Sequence, residues 1–175
     1  EALRHIVGVQ FRNLATVGGS VFGRFGFSDV LTLLLVMDSY VELYKGGIVP
    51  LADFVNMPYD RDILVRVIVK KTAAHYSYKS VRISKTDFPV LTCAAALTQE
   101  GVQVAVGARP AKAALVKDAE QLATLPMTAE KAQAFAEYAA GLLPTETNPR
   151  GSAAYRTHLI KVLTARCLTE LGGKA

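Results

Sequence analysis

Cysteine and histidine are scarce in this sequence, and their spacing argues against two classes of site. The two cysteines, Cys93 and Cys167, are far apart and have no ligand-like spacing, so neither a disulfide framework nor a zinc site is indicated. The three histidines, His5, His75 and His158, are not paired at helical or hairpin intervals, and we therefore expect no metal site. A chain without a disulfide framework is typical of a reducing compartment, so we expect a cytoplasmic protein.

Long hydrophobic runs are also absent. The apolar run at residues 33–37 is among the longest, and it is far shorter than the roughly 20 residues that a membrane helix needs. The sequence therefore predicts no membrane span. No signal peptide is visible, and the first residue is Glu1 rather than methionine, which is compatible with a start inside a longer protein.

The basic residues are not gathered into one tract. The chain of 175 residues has a net charge of +5, but its basic residues occur singly or in twos, and Lys70-Lys71 is the one adjacent pair. A nucleic-acid binder usually concentrates its basic residues on one face or in one tract. We therefore expect no nucleic-acid binding and assign the excess charge to solvated surface or to a face for an acidic partner.

The chain divides into two parts with different sequence patterns, and its length is sufficient for two small domains. In residues 1–69, short apolar segments are broken by glycine. Residues 41–44 alternate apolar and polar, and Gly46-Gly47 predicts a hairpin turn into the next apolar pair. Ser28 is predicted to cap a short helix that runs to Met37, and the β-branched residues 63–69 predict a strand.

Residues 70–175 begin with strands and end with helices. The expected strands cover residues 75–83, 90–97 and 102–106. The expected helices cover residues 111–125, residues 129–142 after the cap Thr128, and a last stretch from the cap Ser152 to about Leu171. Strands followed by helices, without a repeated strand–helix–strand alternation, indicate the α+β class.

One glycine-containing segment has the composition of an anion site. Residues 16–20 read T-V-G-G-S, with a hydroxyl on each side of two glycines, and Ser28-Asp29 follows at the predicted helix start. Consecutive backbone N–H groups can hold a diphosphate, and glycine is needed where the chain passes close to it. The alternative is an ordinary Gly-Gly β-turn between two strands, which a glycine pair alone would favour.

The context of this segment resembles a known family. Residues 12–20 read R-N-L-A-T-V-G-G-S, which closely resembles the "R-N-x-x-T-[IV]-G-G-[NS]" signature of the FAD-binding subunit of molybdenum hydroxylases. This family includes the medium subunit of carbon monoxide dehydrogenases and the FAD-binding subunit of xanthine dehydrogenases. The resemblance continues at Ser28-Asp29, at residues 51–54 and 62–65, at Tyr78-Lys79 with Arg82, and at residues 149–156.

The resemblance implies a fold and a domain division. It implies that residues 1–69 are the second lobe of a two-lobed FAD-binding domain of the PCMH type. Residues 70–175 would be a C-terminal α+β domain with a small antiparallel sheet and about three helices. The family's N-terminal lobe carries another glycine-rich phosphate loop that has no counterpart here, so the chain is expected to hold half of a site and to bind FAD weakly or not at all by itself.

The resemblance also implies which residues face the cofactor. Those expected to line the FAD diphosphate are Thr16, Val17, Gly18, Gly19 and Ser20. Ser28 and Asp29 would contact polar groups of the cofactor, and Ile6 would pack where some relatives have an aromatic residue. Leu64 would pack near the isoalloxazine and Lys79 would reach its polar edge, although Leu64 as a core residue and Lys79 as a surface lysine remain alternatives. The segment Gly23–Phe27 departs from the family pattern.

The function implied is that of an oxidoreductase component whose isolated chain is inactive. No residue has the pattern of a nucleophile, a catalytic base or a metal ligand, as expected where a cofactor carries the chemistry. The implied partners are a molybdopterin-binding large subunit, a small subunit with 2Fe-2S clusters and the missing N-terminal lobe. Electrons would pass through FAD to an acceptor such as NAD or a quinone. A non-catalytic assembly module that has lost FAD is the alternative function.

Overall fold

The computed structural model describes residues 1–174. The elements of the first part are α1 (Val9–Leu14), α2 (Val17–Phe22), α3 (Asp29–Leu35), β1 (Ser39–Leu43), β2 (Gly47–Pro50), α4 (Leu51–Asn56) and β3 (Leu64–Val69). Those of the second part are β4 (His75–Arg82), β5 (Pro89–Thr98), β6 (Gly101–Gly107), β7 (Ala114–Lys117), α5 (Ala129–Leu142) and α6 (Ala153–Gly172). No helix within these residues is long and apolar enough to cross a membrane.

The first sheet has the strand order β2-β1-β3, and both pairs are antiparallel. Its hairpin turns at Gly46 and Gly47, which confirms the predicted turn, and Gly47 has a φ of +68° that glycine adopts without strain. The Asp62 carboxylate accepts the N–H groups of Lys45 and Gly46 at 3.0 and 2.8 Å. These bonds fix the hairpin to the start of β3.

The second sheet is an antiparallel meander in the order β4-β5-β6-β7. The three strands predicted at residues 75–83, 90–97 and 102–106 are confirmed by β4, β5 and β6. Strand β5 is apolar on both faces because the sheet is covered on both sides. Cys93 and Ala95 pack into the core under α5 and α6, whereas Ala94 and Ala96 pack into the core that contains α3.

The two long helices of the second part are confirmed where the sequence predicts them. Thr128 caps α5 by accepting the Lys131 N–H, and Ser152 caps α6 by accepting the Tyr155 N–H at 3.2 Å. On the first turn of α6, the fully buried Arg156 donates to the carbonyl of Val90 at 3.0 Å. The start of α6 is therefore fixed to the start of β5.

The helix predicted over residues 111–125 is wrong, because this segment contains strand β7. β7 pairs with β6, with Val116 opposite Val104. Ala113 and Leu115 pack into one core and Ala114 and Val116 into the other, so the side chains alternate with the period of a strand. Pairing with the edge of β6 and burial on two faces override the helix propensity of alanine. The α+β class is confirmed.

Candidate functional site

The T-V-G-G-S segment forms the start of helix α2 rather than a β-turn. Thr16 is the N-cap, and its Oγ1 accepts the Gly19 N–H at 3.0 Å. The first N–H groups of an α-helix have no partner within the helix, so those of Val17 and Gly18 are open to a ligand. The Ser20 hydroxyl donates to the Thr16 carbonyl at 3.1 Å. The expected alternative, a Gly-Gly turn between strands, is therefore wrong.

The two glycines of this segment have near neighbours, at a tight distance for Gly19 and at an ordinary contact distance for Gly18. A Cβ on Gly19 would lie 3.0 Å from Thr16 Oγ1, which is tighter than most real contacts. A Cβ on Gly18 would lie 3.7 Å from Leu64 Cδ2. The structure thus brings Leu64, at the start of β3, against the first turn of α2. A side chain at position 19 would crowd the cap that shapes this turn.

A cavity of about 350 Å³ lies beside α2. Its walls include six of the ten residues assigned to the cofactor: Ile6, Thr16, Gly19, Ser20, Ser28 and Asp29. The other wall residues are mostly apolar, with Phe11, Val30 and Phe88 among them. We call this space the α2 cavity. A concave, mostly apolar space with a few polar groups is the usual form of a cofactor site.

Three phenylalanines form an aromatic cluster at the mouth of the α2 cavity. Phe25 and Phe27 are stacked with ring centroids 5.2 Å apart, and Phe27 meets Phe88 edge-on at 4.7 Å. All three are more than 40% exposed. Two of them come from the segment Gly23–Phe27, which departs from the family pattern. The departure therefore supplies exposed aromatic surface beside the cavity.

The same segment is anchored by a buried arginine. Arg24 is 3% exposed and has a φ of +48°. Its guanidinium donates to the Met57 carbonyl at 2.7 Å and lies 4.3 Å from the ring centroids of Phe54 and Tyr59. Because Arg24 points into the protein, its neighbour Phe25 is left at the cavity.

Asp29 lines the cavity and belongs to a buried polar group. Its Oδ1 accepts the Tyr78 hydroxyl at 2.5 Å and also pairs with Arg82 Nη2. Burial raises the pKa of the Asp29 carboxyl, and the hydrogen bond from Tyr78 and the charge of Arg82 oppose that rise. Burial and the adjacent Asp29 likewise raise the pKa of Tyr78. Arg82 Nε is buried without a hydrogen-bond partner.

Tyr78 and Arg82 were not among the residues predicted to line the site. A signal was present, because they are four residues apart on a predicted strand and so share one face of it. The same alternation sends Lys79 to the opposite face. There Lys79 Nζ donates to Glu170 of α6 at 2.7 Å, and this hydrogen bond raises the pKa of Lys79. Lys79 lines a different cavity, next to α6, and the structure does not bring it to the α2 cavity.

The remaining predicted residue, Val17, lies on the outer surface of α2 with 53% of its area exposed.

Among residues 1–174, no three His, Cys, Asp or Glu side chains cluster as metal ligands would. Cys93 and Cys167 are both buried free thiols, and the Cys93 Sγ lies 3.7 Å from Thr164 Oγ1.

Two protein families match this chain. The CO dehydrogenase flavoprotein C-terminal domain matches residues 76–171, and the FAD binding domain in molybdopterin dehydrogenase matches residues 1–72. The uncharacterized protein YgfM of Escherichia coli K12 is 29% identical over 166 residues, which cover 94% of this chain and 61% of that protein. The nicotine 6-hydroxylase medium subunit of Paenarthrobacter nicotinovorans is 28% identical over 98% of this chain and 65% of that subunit. The chain thus spans less than two thirds of these relatives.

Solved structures have the same fold. Quinoline 2-oxidoreductase from Pseudomonas putida 86 superposes with a TM-score of 0.86 at 23% identity, over 99% of this chain and 66% of that one. Carbon monoxide dehydrogenase from Hydrogenophaga pseudoflava superposes with a TM-score of 0.86 at 20% identity, over 98% of this chain and 66% of that one. At these identities the likeness concerns the fold.

Proposed function

Because this chain belongs to the FAD-binding medium subunits of the molybdenum hydroxylases, we propose that it forms part of an FAD site in an electron-transfer subunit. When bound, FAD carries electrons between iron–sulfur clusters and an acceptor such as NAD. The observation that carries the proposal is the start of α2, where two N–H groups lack helical partners and the neighbouring Thr16 and Gly19 line an apolar cavity. The chain by itself is proposed to be an inactive part of an oxidoreductase.

The first turn of α2 fits a diphosphate. Val17 and Gly18 offer two backbone donors, and the helix N-terminus favours negative charge. Thr16 already satisfies the Gly19 N–H at 3.0 Å and so holds the turn in shape before any ligand arrives. Preformed donors lose less conformational freedom on binding than mobile side chains do.

The interior of the α2 cavity fits the rest of a dinucleotide. Ile6 and Phe88 give it apolar walls. Asp29 is held in one orientation by Tyr78 and Arg82, so that it can accept a hydrogen bond from a ribityl or ribose hydroxyl. We propose that nine of the ten sequence-assigned residues contribute to the FAD site, and that Lys79 serves the ion pair with Glu170 instead.

We further propose the partners and the division of the chain. A molybdopterin-binding large subunit and a small subunit with 2Fe-2S clusters would complete the enzyme, as the medium-subunit name of the nicotine 6-hydroxylase relative suggests. Residues 1–69 would form the second lobe of the FAD-binding domain and residues 70–175 the C-terminal domain. The first lobe of the FAD site would come from outside these residues.

One observation favours the alternative of an assembly module without FAD. The Gly23–Phe27 segment departs from the family pattern, and its Phe25 and Phe27 rings stack at the mouth of the α2 cavity. If these rings occupy the cofactor's volume, the scaffold keeps its fold and loses its ligand.

A titration of FAD into the 175-residue chain and a visible spectrum of the complete subunit together separate the two functions. We expect weak binding, with shifts of the backbone N–H signals of Val17, Gly18 and Gly19 in ¹H–¹⁵N NMR spectra. FAD at millimolar concentration should also raise the melting temperature by mass action. Unshifted signals in this chain agree with half of a site, so the complete subunit decides: an intact subunit without a flavin absorption band would refute the FAD proposal and favour the assembly module. Tight binding would contradict the prediction that the chain holds only half of the site.

A further inference from the structure

The two cysteines of the chain come together in the core between β5 and α6. Cys93 lies on the face of β5 that packs against the helices, and Cys167 lies on the face of α6 that packs against this sheet. Cys93 Sγ is 3.7 Å from the hydroxyl of Thr164, which is about one helical turn before Cys167. Both thiols are free and fully buried. The fold therefore places two thiols side by side that are far apart in the sequence.

The surroundings of the two thiols differ. Hydrogen bonding with Cys93 lowers the pKa of the Cys167 thiol, and burial opposes this effect. Ser77 and the positive charge of Lys79 lower the pKa of Cys167 further. The contact with Cys167 and burial both raise the pKa of Cys93. Because the thiolate is the reactive form of cysteine, Cys167 is the more nucleophilic of the two.

Cys167 lies close to the cavity next to α6, which we call the α6 cavity. This space of about 630 Å³ is lined by Ser77 and Lys79 of β4 and by Glu170 of α6. Ser77 donates to Glu170 at 2.9 Å and also contacts the Cys167 thiol. One layer of side chains thus separates this thiol from a space that admits small solutes. Local opening of such a layer requires less free energy than global unfolding.

We infer that Cys167 and Cys93 are a peroxide-sensitive pair that forms a disulfide between α6 and β5. The Cys167 thiolate attacks one oxygen of hydrogen peroxide, the O–O bond breaks, and a sulfenic acid forms while the other oxygen leaves as hydroxide. The Cys93 sulfur then attacks the Cys167 sulfur, which forms the S–S bond and releases a second hydroxide. Two thiols are oxidised and one peroxide is reduced. The two thiol protons convert the hydroxides to water.

This inference does not depend on the proposed FAD site. The alternative is that both cysteines serve only as small apolar core residues, which is a common role of buried cysteine. The asymmetry of the pair favours the inference, because a core role requires neither a cation near one thiol nor a second thiol beside it. The disulfide would be reversible, since an excess of a small thiol restores both cysteines by exchange.

The test treats the folded 175-residue chain with hydrogen peroxide and records its mass without a reductant. We expect a monomer that has lost two hydrogen atoms, and dithiothreitol should restore the original mass. Since the chain contains two cysteines, an intramolecular disulfide joins this pair. Peptide mapping identifies the linked peptides and separates them from methionine sulfoxide, which adds oxygen instead.

Two matched alanine variants test the role assigned to each thiol. In Cys93→Ala the sulfenic acid of Cys167 has no resolving thiol, so dimedone should trap it. In Cys167→Ala the remaining Cys93 should react with peroxide at least about tenfold more slowly, because less of it is thiolate. In chains unfolded by urea the two rates should become equal, since both thiols then lie in the same solvent. Each variant replaces one buried thiol by a small apolar side chain, and circular dichroism checks its fold.

Three results would overturn the inference. The first is a folded wild-type chain that keeps both thiols under conditions that oxidise free cysteine. The second is a disulfide that appears in urea but not in the folded chain. The third is an equal peroxide rate for the two folded variants, which would show that Cys167 has no special environment. If either variant does not fold, the peptide map of the wild-type chain decides by the presence or absence of the disulfide.

Discussion

Replacing Val17 with proline tests the diphosphate site with little damage to the fold. Val17 is the first residue of α2, where proline is well accepted because the lost N–H has no helical partner. The preceding residue, Thr16, has φ −112° and ψ 150°, which suits a residue before proline. The side chain of Val17 is 53% exposed, so the change buries and uncovers little apolar area. One of the two proposed phosphate donors is removed.

The expected loss follows from the geometry of this turn. Thr16 already binds the Gly19 N–H, so Val17 and Gly18 are the donors left for the diphosphate. A hydrogen bond to a charged group contributes about 1.5–3 kcal/mol, and about 1.4 kcal/mol corresponds to tenfold in affinity. Since the turn is exposed to water, we expect the lower end of this range. Val17→Pro should therefore weaken FAD binding about tenfold.

The assay compares the FAD affinities of Val17→Pro and the wild type by NMR titration. Ala129→Pro is the control, because Ala129 is the exposed first residue of α5 and follows Thr128, which has a similar extended backbone. Both variants should keep the wild-type circular dichroism spectrum, and Ala129→Pro should bind FAD as the wild type does. A folded Val17→Pro chain with wild-type affinity would refute the assignment of the α2 turn to the diphosphate.

Three further predictions concern stability and pH. Arg82→Met leaves the buried Asp29 without its cation, and it should lower the free energy of unfolding in urea by about 3 kcal/mol, as for other broken buried pairs. Hydrogen bonds from Lys174, Lys79 and Ser77 lower the pKa of Glu170 to about 2. Because the folded pKa lies below the ordinary value, this stabilisation is present above about pH 4.5 and is lost as the pH falls towards 2. Glu170 is largely exposed, so we expect Glu170→Gln to cost less than about 1 kcal/mol at neutral pH, with the difference from wild type disappearing near pH 2 and in high salt. Ser152→Ala removes the cap of α6 and should cost about 1 kcal/mol in thermal unfolding, whereas Ser152→Asp should keep most of that stability.

The elements that could be predicted from the sequence are those whose signals are local. Thr128 and Ser152 cap their helices within three residues of chain, so α5 and α6 were found at their starting points. The hairpin between β1 and β2 depends on Gly46 and Gly47, which are adjacent in the sequence. The family motif at residues 12–20 likewise lies on one short segment, and six of the ten residues assigned to the site lie around one cavity.

The features that could not be predicted depend on partners far away in the sequence. β7 replaces the expected helix because β6 offers an unpaired edge and two cores accept its side chains. Lys79 and Tyr78 lie on opposite faces of β4, and only the packing of α6 against one of these faces decides which side chain meets that helix. The first turn of α2 could be predicted only in part. The glycine pair alone favours a β-turn, whereas in the structure Thr16 caps a helix by accepting the Gly19 N–H.

The two-faced burial of β5 has a thermodynamic consequence. Residues 1–72 and 76–171 match different families, yet Ala94 and Ala96 of β5 belong to the same core as Leu31 and Leu35. Neither segment can unfold without exposing the interior of the other. Calorimetry of this chain should therefore record a single cooperative transition, and cutting the connection near residue 73 should release two fragments that lack a complete core. The two segments that match separate families would then unfold together as one unit.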